Sequence, residues 1–216
     1  MNNSEILPHI DHTLLRVTAT ETEISTLCEE ALKYNTASVC IPASFVKFAH
    51  EKYPTLNICT VIGFPLGYST TAVKCFDASD AIGNGASEID MVVNLGWVKD
   101  RKFAEVEKEI EEIKKACGDK ILKVIIETCY LTDEEKVELC KCVTNAKADF
   151  IKTSTGFGTA GANIEDIMLF KQNIGKNVKI KAAGGVKTKS DLEMFLNAGC
   201  ERIGTSSAVK LLTENN

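Results

Sequence analysis

No stretch of this 216-residue sequence approaches the roughly 18 consecutive apolar residues of a membrane-spanning helix. The opening MNNSEILPHIDH has neither the basic start nor the apolar stretch of a secretory leader. No C-x-x-C pair occurs, and no Cys/His cluster has zinc-ligand spacing. No Pro/Ser-rich linker interrupts the chain, and no G-x-G-x-x-G follows its first apolar run. Basic residues are outnumbered too, 25 Lys and Arg against 30 Asp and Glu, for a net charge of -5. Phosphate backbones demand clustered Lys and Arg, so nucleic acid is not the expected partner, and neither is a membrane.

What is present is average for a globular protein: 44% hydrophobic and 25% charged residues. One domain of this size buries on the order of 70% of its unfolded surface, which allows a large core. The nine cysteines are an odd number, and several sit inside apolar runs such as SVCI and NICTVIGF. They are expected to be buried thiols in a reducing, cytoplasmic setting.

Eight short apolar runs punctuate the chain, at 10–15, 38–41, 58–64, 88–94, 122–127, 149–154, 179–184 and 202–206. Their length and Val/Ile content suit buried strands. Between them lie helical patterns. In 100–117, Phe103, Val106, Ile110 and Ile113 fall on one face, and 20–34 repeats the pattern with Ile24, Leu27, Cys28 and Ala31. Thr20 with Glu23, Thr132 with Glu135 and Ser190 with Glu193 fit capping boxes. Strands recur every 20–35 residues or so, as crossover helices require. The expected architecture is an α/β fold, a single (β/α)8 TIM barrel over residues 1–216, with an open doubly wound sheet as the alternative.

In such a barrel the site forms at the C-terminal ends of the strands. A strand buried on both faces has no cheap place for a charge. Four runs carry one deep inside: Asp90, Lys123, Lys152 and Lys181. Lys152 stands late in its run, before the polar TSTG loop. A desolvated ammonium beside other cations sheds its proton more easily and can form a Schiff base with a carbonyl. Lys181 is the natural second cation, and Asp90 a candidate proton shuttle. The competing reading makes these residues structural ion pairs. Lys123, taken as opening its strand, fits either role. Gly184-Gly185 after the seventh run and Gly204-Thr205-Ser206-Ser207 in and after the eighth stand where barrels commonly bind phosphate, with Gly156 and Gly158 extending the donor ring. His12 reads as a core histidine, GFPLG (63–67) as a bend, Trp97 as packing at a loop, and Cys140 with Cys142 as no metal pair.

The motifs IDHTLL, VCI, VIGFPLG, EIDMVVNLG, KVIIET, FIKTSTGF, KAAGGV and RIGTSSA run nearly end to end. In that order the chain resembles the deoxyribose-phosphate aldolases, class I aldolases on a (β/α)8 barrel. The resemblance implies Lys152 as the Schiff-base lysine, Lys181 as the lysine that tunes it and Asp90 as the proton-transferring acid. It implies that Asp11, Thr13 and Cys40 line the substrate end and that Lys123 joins the network around Asp90. Gly156, Gly184, Gly185, Gly204, Ser206 and Ser207 would hold a 5-phosphate. The implied reaction is reversible cleavage of 2-deoxy-D-ribose 5-phosphate to D-glyceraldehyde 3-phosphate and acetaldehyde, with no metal or organic cofactor. A homodimer is the habit of the class. The chain departs from the family pattern at Ile41-Pro42-Ala43 after Cys40, at Phe157 where some members have lysine, and in having no tyrosine after Tyr130.

Overall fold

Each apolar run becomes one strand of a closed parallel barrel in the computed structural model, which describes residues 1–213. The strands are β1 (Ile10–Thr13), β2 (Ser38–Ile41), β3 (Ile58–Ile62), β4 (Glu88–Val92), β5 (Ile121–Ile125), β6 (Phe150–Lys152), β7 (Lys179–Ala183) and β8 (Arg202–Thr205). Each pairs with its chain neighbours, and β8 closes on β1. The (β/α)8 reading is thereby met. The final residues of the LLTENN end lie outside the described residues.

Helices cover the barrel. They are α1 (Asn3–Ile6), α2 (Glu21–Tyr34), α3 (Val46–Lys52), α4 (Thr71–Gly83), α5 (Leu95–Lys99), α6 (Phe103–Cys117), α7 (Asp133–Asn145), α8 (Ile164–Asn173), α9 (Lys189–Ala198) and α10 (Ala208–Thr213). The apolar face of α6, Val106, Ile110 and Ile113, is fully buried. Thr20 and Thr132 cap α2 and α7 through boxes with Glu23 and Glu135, as expected.

Three local expectations need correction. The cap of α9 is Thr188 with Asp191, because the Asp191 carboxylate accepts from the backbone N–H of Lys187 and Thr188. Ser190 therefore lies inside the first turn. The helical pattern of 100–117 starts only at Phe103, because Arg101 adopts a left-handed conformation and breaks it. Trp97 belongs to the short helix α5, capped by Asn94.

Seven of the nine cysteines are buried, and Cys75 and Cys129 are partly exposed. Burial pushes the thiols of Cys117, Cys140, Cys142 and Cys200 up to about 12, and that of Cys28 to about 11. The native state therefore holds protons that an unfolded thiol, titrating near 9.0, gives up. This contribution is complete below pH 9 and is lost as pH rises through the folded values. We expect stability to fall by on the order of 10 kcal/mol between pH 9 and pH 11, about 2 kcal/mol for each of these five thiols. Urea titrations at the two pH values check it, and an unchanged midpoint would contradict it.

Candidate functional site

Alternate residues of each strand point into the barrel, so period-two spacing decides which charges meet. Glu88 and Asp90 share the inner face of β4. Register then sets Lys123 beside Asp90, and Lys181 beside Lys152. The outcome is a buried ionic cluster in place of a purely apolar barrel interior.

Asp90 is its hub. Oδ2 accepts from Lys152 Nζ at 2.7 Å and from Lys181 Nζ at 2.7 Å. Oδ1 accepts from Lys123 Nζ at 2.8 Å and from the Cys59 thiol at 3.1 Å. Lys181 also reaches Asp11 at 2.5 Å, and Lys123 reaches Glu88 at 2.7 Å. Arg202, opening β8, spans Asp11 at 2.5 Å and Glu88 at 3.1 Å. Four cations thus face three carboxylates, leaving one positive charge in excess.

The electrostatics follow from these contacts. Burial opposes ionisation of Asp90, but Lys123, Lys152 and Lys181 outweigh it and hold its carboxyl well below the usual range. Burial likewise opposes the charge on Lys181, and Asp11 and Asp90 overcome it, so Lys181 is pushed up. Lys123 rises for the same reason, chiefly through Asp90. Burial disfavours the Arg202 charge too, yet Asp11 and Glu88 raise it. In the resting cluster Asp90 is therefore an ionised carboxylate, and Lys181 a fixed cation.

Above the cluster opens a cavity of about 630 Å³. It is lined from the ends of β1, β6, β7 and β8 and the loops that follow them, among them Thr13, Lys152, Gly156, Gly184, Gly185, Gly204, Ser206 and Ser207. Arg16, Phe157 and Lys187 also face it. Lys123 and Lys181 are fully buried, whereas Lys152 is 3% exposed and reaches the cavity wall.

Gly184 and Gly185 both have left-handed backbones, with φ of 80° and 75°, which only consecutive glycines adopt at little cost. Glycine at both positions also lets a ligand approach the backbone closely. Across from it, the Ser207 hydroxyl meets Thr205 Oγ1 at 3.1 Å and donates to the Val186 carbonyl at 3.3 Å. These bonds tie the loop after β8 to the loop after β7.

Asp11, Cys40 and Gly158 lie outside the cavity lining, and Lys123 joins the network around Asp90 as expected. Asp11 and Cys40 are fully buried below the cavity and do not line it. Lys123 sits mid-strand in β5, in the ionic layer, not at a strand start. Gly158 packs behind the loop, close to Glu127 and Cys129. His12 is buried and meets Glu30 at 2.8 Å, a structural partner.

Sequence reasoning missed Glu88, Arg202 and Cys59. The signal was available, since Glu88 stands two residues before Asp90 and Arg202 two before Gly204, each pair on one strand face. Cys40, Cys59 and Asp90 bring ligand atoms within 4.8 Å of one another. Three ammonium groups already hold the Asp90 oxygens, so a divalent cation there would have to displace them. A hydrogen bond with Cys59 lowers the Cys40 thiol against its burial. This chemistry fits a hydrogen-bonded cluster better than a metal centre.

Known proteins resemble this chain in sequence and fold. Residues 6–208 match the model of the DeoC/LacD family aldolases. The deoxyribose-phosphate aldolase of Clostridium botulinum (strain Alaska E43) is 60% identical over 213 residues, covering 98% of this chain and 96% of that one. That of Clostridioides difficile (strain 630) is 60% identical over 208 residues, covering 96% and 95%. The tetrameric deoxyribose phosphate aldolase structure from Aeropyrum pernix superposes with a TM-score of 0.91 at 30% identity, covering 99% of this chain and 92% of that one. By family model and by these relatives alike, the chain belongs to the DeoC/LacD aldolase family.

Proposed function

We propose that this protein cleaves 2-deoxy-D-ribose 5-phosphate reversibly to D-glyceraldehyde 3-phosphate and acetaldehyde, through a Schiff base on Lys152. The observation that carries the reading is the position of Lys152. It is the one amine of the buried cluster that lines the cavity, and it holds Asp90 at 2.7 Å. Relatives 60% identical over nearly the whole chain carry the same activity in their names.

The chemistry runs through groups already described. In its neutral form Lys152 attacks C1 of the open-chain aldehyde through Nζ. Loss of water from the carbinolamine, helped by Asp90 and a water relaying the proton, gives the iminium. A base takes the proton from the C3 hydroxyl, the C2–C3 bond breaks, and its electrons flow to the iminium nitrogen. D-glyceraldehyde 3-phosphate leaves. The remaining enamine is protonated at C2, and water hydrolyses the resulting iminium to acetaldehyde and free Lys152.

Two features assist. The Lys181 ammonium stays charged and fixes the Asp90 carboxylate beside Lys152, where it can relay protons through a water. The glycine pair after β7 and the serines after β8 receive the phosphate, so binding far from C1 becomes orientation over Lys152. Thr13 faces the same cavity and supplies a hydroxyl near the reacting end. The test is release of acetaldehyde from the phosphorylated sugar, followed with a coupled reductase. Turnover of a ketose phosphate in its place would reject the substrate assignment.

A further inference from the structure

Glu127 follows β5 with φ 53° and ψ 66°, a left-handed conformation that a side chain disfavours. Its side chain is also buried, and no cation bridges it among the described residues. A carboxylate out of water without a counter-charge is costly. Two costs on one residue, outside the ionic cluster, mark a functional constraint.

We propose that Glu127 is a positioning residue that sets the phosphate end of the cavity by holding the turn at 155–157. Its carboxylate accepts from the Thr155 backbone N–H at 3.1 Å and from the Thr155 hydroxyl. Thr155 Oγ1 in turn accepts from the Phe157 N–H at 3.0 Å. This relay fixes both ends of Gly156, the middle of the turn, and all three residues line the cavity. Behind them the packing is tight. A Cβ on Gly158 would come within 3.2 Å of the Glu127 carboxyl and 2.8 Å of Cys129 Sγ.

The backbone explains why Glu127 reaches this turn. Ile126 N–H donates to the Lys152 carbonyl at 3.1 Å, and Thr128 N–H to the Thr153 carbonyl at 3.0 Å. Glu127 lies between these two bonds, and its side chain carries the β5–β6 pairing past the strand ends onto the loop. Lys152 itself is held by β6 and Asp90. Releasing Glu127 therefore moves the turn and leaves the amine in place. Phe157 puts an apolar ring at this turn, so the contribution of the turn to an anion rests on backbone donors, whose placement the relay controls.

This inference rests on the reading of the cavity as a sugar-phosphate site. The test compares Glu127→Asn with Glu127→Gln. Asn tolerates the left-handed backbone but is too short to reach Thr155, whereas Gln keeps the reach. For 2-deoxyribose 5-phosphate, Glu127→Asn is expected to raise KM by roughly 10- to 30-fold with kcat within about threefold. For unphosphorylated 2-deoxyribose, kcat/KM stays within about twofold, and Glu127→Gln stays within about threefold of wild type on both. An unchanged KM, or an equal loss on both substrates, overturns the proposal. Should Glu127→Asn fail to fold, Thr155→Val cuts the same relay and must give the same KM rise. Binding of inorganic phosphate, read by calorimetry, separates the two failures. A wild type with no turnover defeats the aldolase reading, while Glu127→Asn binding phosphate as tightly as wild type defeats this one.

Discussion

Lys152→Ala is expected to lower kcat by about 10⁴-fold or more while leaving the barrel folded. No other amine can take its place. Lys123 and Lys181 are fully buried and held by two or more carboxylates each, and Lys187, which also lines the cavity, lies outside the Asp90 cluster. The cost in stability is small, about 1 kcal/mol, because the cluster carries one surplus positive charge and the substitution removes it. Asp90 keeps Lys123 and Lys181 as partners. Phosphate binding should persist, since the glycine pair and the serines are untouched. Steady-state kinetics beside a thermal melt check this prediction. The competing view, Lys152 as a structural ion pair, expects the reverse: a large loss of stability and surviving turnover.

Asp90→Asn acts on both quantities. The carboxylate accepts from three ammonium groups, and an amide has one acceptor oxygen and two N–H donors that would face them. Breaking a buried pair leaves uncompensated charge, so we expect a loss of about 3–5 kcal/mol. The proton transfer beside Lys152 also disappears, and kcat should fall by about 10³-fold. The pH dependence has a definite sign. Burial disfavours the Asp90 charge, but the three lysines hold the folded carboxyl well below the ordinary aspartate value of 3.8. The stability it contributes is therefore complete at neutral pH and is lost as pH falls through the folded value. The stability gap between wild type and Asp90→Asn should be full at pH 7 and narrow below about pH 4. Urea unfolding at several pH values checks it, and a gap that widens in acid would contradict the account.

The barrel was legible because its strands are buried on both faces. Runs such as SVCI and EIDMV can hardly be anything else, and their spacing leaves room for one crossover helix each. The charges inside those runs were legible for the same reason, since Asp90, Lys152 and Lys181 stand out against Val and Ile. Depth was harder to read. Asp11 stands on the inner face of β1 two residues before Thr13 and is held among Lys181 and Arg202, while Cys40 lies on β2, which contributes no residue to the cavity lining. Nothing local distinguishes Asp11 from Thr13, which does face the cavity. Glu88 and Arg202 were overlooked because they open their strands, where an exposed charge is the ordinary expectation. The twist and closure of the barrel instead bring those two strand starts together across its interior. Glu127 was hidden by a conformation that no single residue type announces.

Borohydride reduction in the presence of acetaldehyde, followed by peptide mapping, is the most direct measurement of the central claim. The iminium forms between acetaldehyde and the nucleophilic amine, and hydride reduction makes that bond permanent as an N-ethyl lysine. The account predicts one modified residue, Lys152, with irreversible loss of activity in proportion to labelling. A label on Lys181, on Lys187 or on no lysine at all would contradict it.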